Sequence, residues 1–360
     1  FQQSAMAMPL VTLSAPNVNY VQIDSLVIMK IVKHVDSELF AGMSEIAGEA
    51  CQGLLTGLVS VEEGRLEITN CFPTARAEPM MEGDDALQAS NQQYEELKQA
   101  EILDMLRKFR NMNIDYELVG FYQAHPFSSC FSQEMADSLF DYQSSVHDGV
   151  VLIYDPVKTR QGQLSITAYR LSQPSLQLYL KGEWTPEGVK AAGINYENMF
   201  DELPIVIKNS HLVNVMIAEL GLSESVIAEK NAVHLELGTK RSLEKCMRSL
   251  ISNVDELNKA IQAYSKYQSD KQRHDSNVNN LLQKRQVENE ARAVRGEPAL
   301  SLDDIKRMKG PQLGTRNGML DSLLLSLDTH ALCDFANKVT GENIAKLFLA
   351  EGIADEKAKP

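Results

Sequence analysis

Apolar residues recur along the chain in two rhythms. Ile28, Ile31, Val32 and Val35 follow the i, i+3, i+4, i+7 rule behind Asp24, a capping residue type, and predict a helix. Residues 53–73, GLLTGLVSVEEGRLEITNCFP, hold two β-type runs around Glu62-Glu63-Gly64, which reads as a hairpin turn. Residues 74–92 are polar and small and predict a loop. Tyr94, Leu97, Ile102, Met105, Leu106 and Phe109 form one stripe of a helix over 93–110. IDYELVGFYQ at 114–123 predicts the next strand. Met135, Leu139 and Tyr142 make the apolar face of a short helix that Ser132 caps. GVVLIYDPVKTRQGQLSITAYR at 149–170 reads as a second hairpin, with Asp155-Pro156 and Gly162 marking its connection. Its first run is continuously apolar, as a central strand requires. Trp184-Thr185-Pro186-Glu187 reads as a helix start, with Thr185 as cap and Pro186 at the first position. PIVIKNSHLVNVMIAELG at 204–221 gives strand, cap, helix and terminal glycine in turn, with His211 at an element end. Helices and hairpins interleave, so the expected fold class is α+β: a mixed sheet with packed helices over about residues 18–220.

Beyond that point the rhythm changes. Leu243, Leu250, Leu257 and Tyr264 are seven apart, and so are Met247, Val254 and Ile261. A 4-3-4-3 step is a helix seam that must bury against another helix. Residues 265–297 keep helix formers but lose the stripe, with Val278, Leu281, Leu282 and Val287 among the few bulky apolar residues inside it. Gly296 and Pro298 punctuate the segment, and GPQLGTRNG at 310–318 reads as a linker. A last amphipathic helical region over 319–350 carries Leu320, Leu323, Leu324 and Leu327, then Leu332, Phe335 and Val339, then Ile344, Leu347 and Phe348.

Composition narrows the function classes. The 360 residues carry a net charge of −14, which repels phosphate and argues against a stand-alone nucleic-acid binder. The segment from Lys266 to Arg295 departs from this, with seven Lys/Arg against four Asp/Glu. The readings that stay open for it are a solvated helix laced with i, i+4 pairs such as Lys266–Asp270, a contact to RNA, or a disordered region. Aromatic interleaving is confined to Tyr264 and Tyr267, so no RNA-stacking module is signalled. Five scattered cysteines without a CxxC pair argue against a disulfide framework and against a cysteine zinc site, and fit a reducing compartment, the cytoplasm or nucleus. No apolar run reaches the roughly 18 residues of a membrane-spanning helix. There is no GxGxxG, GxxxxGK[ST] or HExxH, so phosphate-loop and zincin chemistry have no support.

The stretch GFYQAHPFSSCFSQEMAD at 120–137 bears on metal chemistry. A hydrolytic zinc needs three His or acidic ligands, an open position for water, and an acid to take the proton of that water. His125 is one candidate ligand. Gln123, two residues before it on the same strand face, is a neutral amide. Asp137 is the carboxylate of the following helix, beside Met135 and Leu139. One imidazole and one displaced carboxylate do not hold zinc.

This strand-His-Pro-loop-helix run resembles the MPN (Mov34) domain, whose metalloprotease members carry His-x-His-Pro, six residues, and Ser-x-x-Asp, with a catalytic Glu upstream. By that resemblance the first His position is Gln123, and the second is His125 followed by Pro126. The Ser position is Gln133 and the Asp position is Ala136, with Asp137 one residue late and so about 100° round the helix. The Glu position is Ala50, with Glu49 one residue out. Four of the five groups are missing or shifted, which implies a non-catalytic member without a metal or other cofactor.

Further runs resemble the h-subunit family of eukaryotic translation initiation factor three: VQIDSLVIMKIVKHV at 21–35, GRLEITNCFP at 64–73, VVLIYDPVKTRQGQLSITAYRL at 150–171, ELPIVIKNSHLVNV at 202–215, RGEPAL at 295–300, LDSLLL at 320–325 and NIAKLFLA at 343–350. The resemblance implies a cytoplasmic scaffold subunit. Its MPN domain would pair with that of a sister, the f subunit. Its C-terminal helices would join PCI-type and other subunits in a helical bundle, and the complex would sit on the small ribosomal subunit. The seam residues Leu243, Met247, Leu250, Val254, Leu257, Ile261, Tyr264, Leu320, Leu323, Leu324, Leu327, Leu347 and Phe348 would meet partner helices, or two helices of this chain would cover each other. A zinc isopeptidase using His125, Asp137 and Glu49, or a scaffold of the proteasome lid or signalosome, are the alternatives. The expected organisation is an arm at 1–19, the MPN domain at 20–171, its extension at 172–225, a long helical region at 226–309, a linker at 310–318, bundle helices at 319–350 and a tail at 351–360.

Overall fold

The computed structural model describes residues 18–40, 51–74, 87–146, 148–160, 163–182, 184–221, 240–295, 301 and 318–357. The expected arm at 1–19 and linker at 310–318 lie almost wholly outside these residues, and Gly162 lies outside them too.

Eight strands form one mixed sheet: β1 (Tyr20–Ile23), β2 (Gln52–Ser60), β3 (Arg65–Pro73), β4 (Leu118–Ala124), β5 (Val150–Tyr154), β6 (Ile166–Leu171), β7 (Phe200–Leu203) and β8 (Ile205–Ile207). Their spatial order is β7-β6-β5-β4-β2-β3-β1-β8. The expected hairpin β2–β3 forms, and Gly64 at φ 61° closes its turn in a conformation that favours glycine. VVLIY becomes β5, fully buried between parallel β4 and antiparallel β6. The β5–β6 connection is more than a turn. Asp155 Oδ1 accepts from the backbone N–H groups of Val157 and Lys158 and starts the short helix α4 (Pro156–Arg160).

Helices cover both faces of the sheet. On one face α1 (Ser25–Phe40) lays Val27, Ile31 and Val35 on Leu55, Leu66, Ile68 and Tyr122. Asn209 Oδ1, rather than the Asp24 side chain, accepts from the Ser25 N–H at the start of α1. The other face carries α2 (Leu87–Asn111), α3 (Gln133–Ser145), α5 (Gln173–Lys181) and α6 (Pro186–Ala192). Phe109, Met135, Leu139, Leu178 and Trp184 meet there over Phe121, Val151 and Ile153. Each such side chain, fully covered, contributes about 1.5–3 kcal/mol. Ser132 and Thr185 cap α3 and α6 as expected, accepting from Met135 N and Gly188 N at 3.2 Å each. Trp184 packs edge-on against Tyr179, 4.9 Å between centroids, as a core residue.

The remaining helices are α7 (His211–Gly221), α8 (Lys240–Arg295) and α9 (Gly318–Lys357). Several bounds differ from expectation. The helix expected at 93–110 starts at Leu87, inside the expected loop, because Gln, Glu and Lys sustain a helix without a stripe. The strand expected at 114–123 is β4 at Leu118–Ala124. Helix α9 runs on to Lys357 through the expected tail. Among the described residues no helix is long and apolar enough to cross a membrane.

The parallel β4–β5 pair aims the loop that follows β4. Gly120 sits opposite Val150, and a Cβ there would stand 1.9 Å from the Val150 carbonyl oxygen. Gly120→Ala must push the two strands apart. We expect a loss of about 1–3 kcal/mol, measured as a lower urea midpoint of the full chain.

Candidate functional site

The loop after β4 opens at His125, whose N–H donates to the Tyr154 carbonyl at 3.0 Å and extends the β4–β5 ladder by one residue. Pro126 then starts a 3-10 turn over Pro126–Ser128, in which Phe127 takes the left-handed φ of 63°. The chain re-enters a helix at Gln133 behind the Ser132 cap.

Three amide and imidazole groups line the end of the sheet. Gln123 is buried and lies opposite Gln52 in the β2–β4 register. His125 Nε2 stands 3.0 Å from Gln123 Oε1, within hydrogen-bond distance of that side-chain amide. Gln123 Nε2 in turn points at Gln52 Oε1, 3.5 Å away. Burial pushes the His125 imidazole down to about 4, against the pull of a Ser129 backbone hydrogen bond. The ring is therefore neutral at pH 7 and hydrogen-bonded within the protein.

The zinc of metalloprotease MPN domains does not fit these residues. Ala136, in the acid position, buries a methyl group in the core. Gln133, in the serine position, is solvent-exposed at the start of α3. Asp137 is exposed and turned toward Gln133, Asp141 and Tyr179; burial first, then the Asp141 charge, raises its carboxyl. Its remaining neighbour of like charge is Asp321 on α9, not His125. Ala50 and Glu49 lie outside the described residues. Among the described residues no three His, Cys, Asp or Glu groups come together to hold a metal ion.

The loop instead holds the C-terminal helices. Phe127 packs on Phe335 of α9, 5.1 Å between centroids, in a cluster with Cys246 of α8 and with Leu332, Ala336 and Val339 of α9. Lys158 Nζ lies over the Phe335 ring at 5.6 Å. Beside this cluster Ser129 Oγ donates to Asp328 Oδ2 at 2.6 Å, and Asn253 Nδ2 of α8 donates to the same oxygen at 2.8 Å. Burial raises the Asp328 carboxyl, and the two hydrogen bonds oppose that rise. One carboxylate thus ties loop, α8 and α9 together.

These contacts divide the expected seam. Leu320 and Leu324 are buried against this chain's own domain, with Leu323 and Leu327 half-buried beside them. Leu243 and Leu250 pack around Cys246 against α9, and Leu257 is half-buried. Met247, Val254, Ile261 and Tyr264 stay exposed, as do Leu347 and Phe348. The reason is that α9 covers one side of α8 only, and the covered side runs Leu243, Cys246, Leu250, Asn253 and Leu257. That 3-4-3-4 spacing is present in the sequence, but Cys246 and Asn253 do not stand out as seam positions beside the larger apolar residues. Phe127, Ser129 and Asp328 carry no local signal.

Two expectations follow for this site. The folded His125 stays neutral down to about pH 4, whereas a solvated imidazole takes up its proton near 6.5. Acidification through that window protonates only the unfolded chain, so the stability His125 contributes is present above pH 6.5 and lost as pH falls toward 4. His125→Gln should flatten the slope of urea midpoint against pH between those limits relative to the parent chain. Asp328→Ala leaves two donors without their acceptor and should cost about 1–3 kcal/mol, with faster amide hydrogen exchange across residues 126–131.

Comparison with known proteins agrees with this architecture. Residues 159–359 match the family model described as the C-terminal region of eIF3h. Residues 16–147 match the model of the JAB1/Mov34/MPN/PAD-1 ubiquitin protease family. The chain is 64% identical to the H subunit of eukaryotic translation initiation factor 3 of Brugia malayi, covering 96% of this chain and 94% of that protein. It is 61% identical to the corresponding protein of Caenorhabditis elegans over the same shares. It is 39% identical to the H-B form of Danio rerio, over 95% of each. An MPN-type sheet joined to long C-terminal helices, matched over 95–96% of the chain at these identities, makes this chain a member of the H-subunit family of eukaryotic translation initiation factor 3.

Proposed function

We propose that the chain is a non-catalytic scaffold subunit of translation initiation factor 3, working in the cytoplasm. Its MPN domain docks a sister MPN subunit, the f subunit, and its C-terminal helices dock PCI-type and other subunits of the complex. Contact with the small ribosomal subunit is indirect or weak, through that assembly, and no membrane is involved.

The observation that carries the reading is apolar surface left open at two separated places. Helix α7 has no buried residue, although Leu212, Val215, Met216, Ile217 and Leu220 are apolar; Leu212 is 84% exposed. Leu26 and Met29 of α1 and Val206 and Ile207 of β8 are also exposed. Asn209, just before α7, bonds to the start of α1, so these residues lie at one end of the domain. The second place is the far end of α9, where Ile344, Leu347, Phe348 and Leu349 are exposed, with Phe348 at 68%. Met247, Val254 and Ile261 of α8 are uncovered in the same way. Covering each Leu-sized side chain releases about 1.5–3 kcal/mol, so either surface can hold a partner. Beside His125 the two amides face each other and Ala136 places a methyl group in the core, which supports a role other than zinc catalysis.

Two variants separate the two surfaces in co-expression with an MPN-bearing subunit and the helical subunits of the factor. Leu212→Asp with Leu220→Asp should abolish co-purification of the MPN partner and keep the helical subunits. Leu347→Asp with Phe348→Asp should do the reverse. Full recovery of every subunit by both variants, each with parental circular dichroism, would overturn the proposal.

A further inference from the structure

Between Lys266 and Arg295 helix α8 extends for about 44 Å at 1.5 Å per residue. Its half-buried residues are Tyr267, Asp270, Lys271, His274, Val278, Leu282, Arg285, Asn289 and Arg292, so one side of the helix faces the rest of the chain. The ion pair between Lys271 and Glu187 of α6 fixes that side.

Lys266, Arg273, Lys284 and Arg295 are all exposed and follow one another at intervals of 7, 11 and 11 residues. At about 100° per residue these intervals return each side chain to within roughly 20° of the same line. The line lies about 100° round the helix from the covered side. No Asp or Glu lies on it. Asp270 and Glu288 flank it toward the covered side; Asp270 is half-buried and Glu288 is paired with Arg292 at 3.4 Å. The expected Lys266–Asp270 pair does not form among the described residues, which leaves the Lys266 ammonium exposed to solvent. Asn277, also exposed, adds an amide donor close to the line. A chain of net charge −14 thus concentrates cations along one edge of a straight rod.

We infer that this line of α8 is a docking surface for the sugar-phosphate backbone of double-stranded RNA. A partner protein helix would need an apolar seam, and only Val287 and Leu281 lie near the line, one on each side. Cations spaced by about 10–16 Å match a continuous polyanion in any register, whereas an acidic peptide must meet them one by one. Stacking on unpaired bases needs aromatic residues along the track, and the line has none. Duplex RNA is recognised through its backbone and shape and needs no such residues. The choice of RNA among phosphate polymers rests on the proposed role in translation initiation.

The test uses the full chain and a 20-base-pair RNA duplex, read by fluorescence anisotropy between 50 and 200 mM salt. Four phosphate contacts give a slope of log affinity against log salt of about −3 to −4. Changing Lys266, Arg273, Lys284 and Arg295 to Gln should weaken binding by roughly tenfold or more and flatten the slope by most of that amount. A control with the exposed residues Arg107, Lys181, Lys190 and Lys208 changed to Gln carries the same net charge and should bind as the parent does. Equal loss in the control, absence of parental binding at 50 mM salt, or equal displacement of RNA by poly-glutamate at matched charge would each overturn the inference. Co-purification of the four-Gln chain with the subunits of the factor is measured in parallel: if assembly holds while RNA binding is absent in the parent, the inference fails and the scaffold role stands.

Discussion

The carboxylate of Asp328 is the point on which the arrangement turns. It accepts from Ser129 in the loop after β4 and from Asn253 on α8, while itself belonging to α9. Three stretches separated by 75 to 199 residues in sequence meet at one oxygen. Phe127 makes the same junction in apolar terms, held at a positive φ that places its ring against Phe335. A half-buried carboxylate with two donors is costly to break, because removing it leaves both donors without an acceptor. The direction in which α8 and α9 leave the domain is therefore set by a compact polar and aromatic joint rather than by a linker.

That joint occupies the loop which, in a zinc-bearing MPN domain, follows the ligand strand. Chemistry there asks for open ligand positions and reachable water. Docking asks for the opposite: committed protons, filled space and few free polar groups. Gln123 and Ala136 fit the second condition, one hydrogen-bonded to the imidazole and the other a methyl group buried in the core. The retained His125 serves the ladder through its backbone and the amide pair through its ring.

Much of the domain is legible in the sequence. Ser132, Thr185 and Pro186 mark helix starts by chemistry that acts within one turn, and the short β-branched run VVLIY suits a strand covered on both faces. Strands β1 and β7 give no such signal, because four residues are too few to show a period. That Gln123, Gln133 and Ala136 are poor zinc-ligand types can be read from the sequence alone. What replaces it cannot, since nothing near Ser129 in sequence announces a carboxylate 199 residues away. The α8 seam is half legible: Leu243 and Leu250 stand out, but the residue between them that reaches the interface is Cys246. A small side chain at a helix crossing is suited to close approach, and hydrophobic counting overlooks it.

The rigid joint also explains how one chain can serve two separated surfaces. α7 lies at one end of the sheet, near the start of α1, and the open apolar end of α9 lies beyond the α8 crossing. Neither surface is covered by the described residues of the chain. If the helices hung from the domain by a flexible segment, binding at one surface would leave the other free to sample many directions, and each partner would bear the entropy of fixing it. With Asp328, Phe127, Leu320 and Leu324 already ordered against the domain, that ordering occurs when the chain itself folds. The loop after β4 thereby holds the two open apolar surfaces in a fixed mutual orientation.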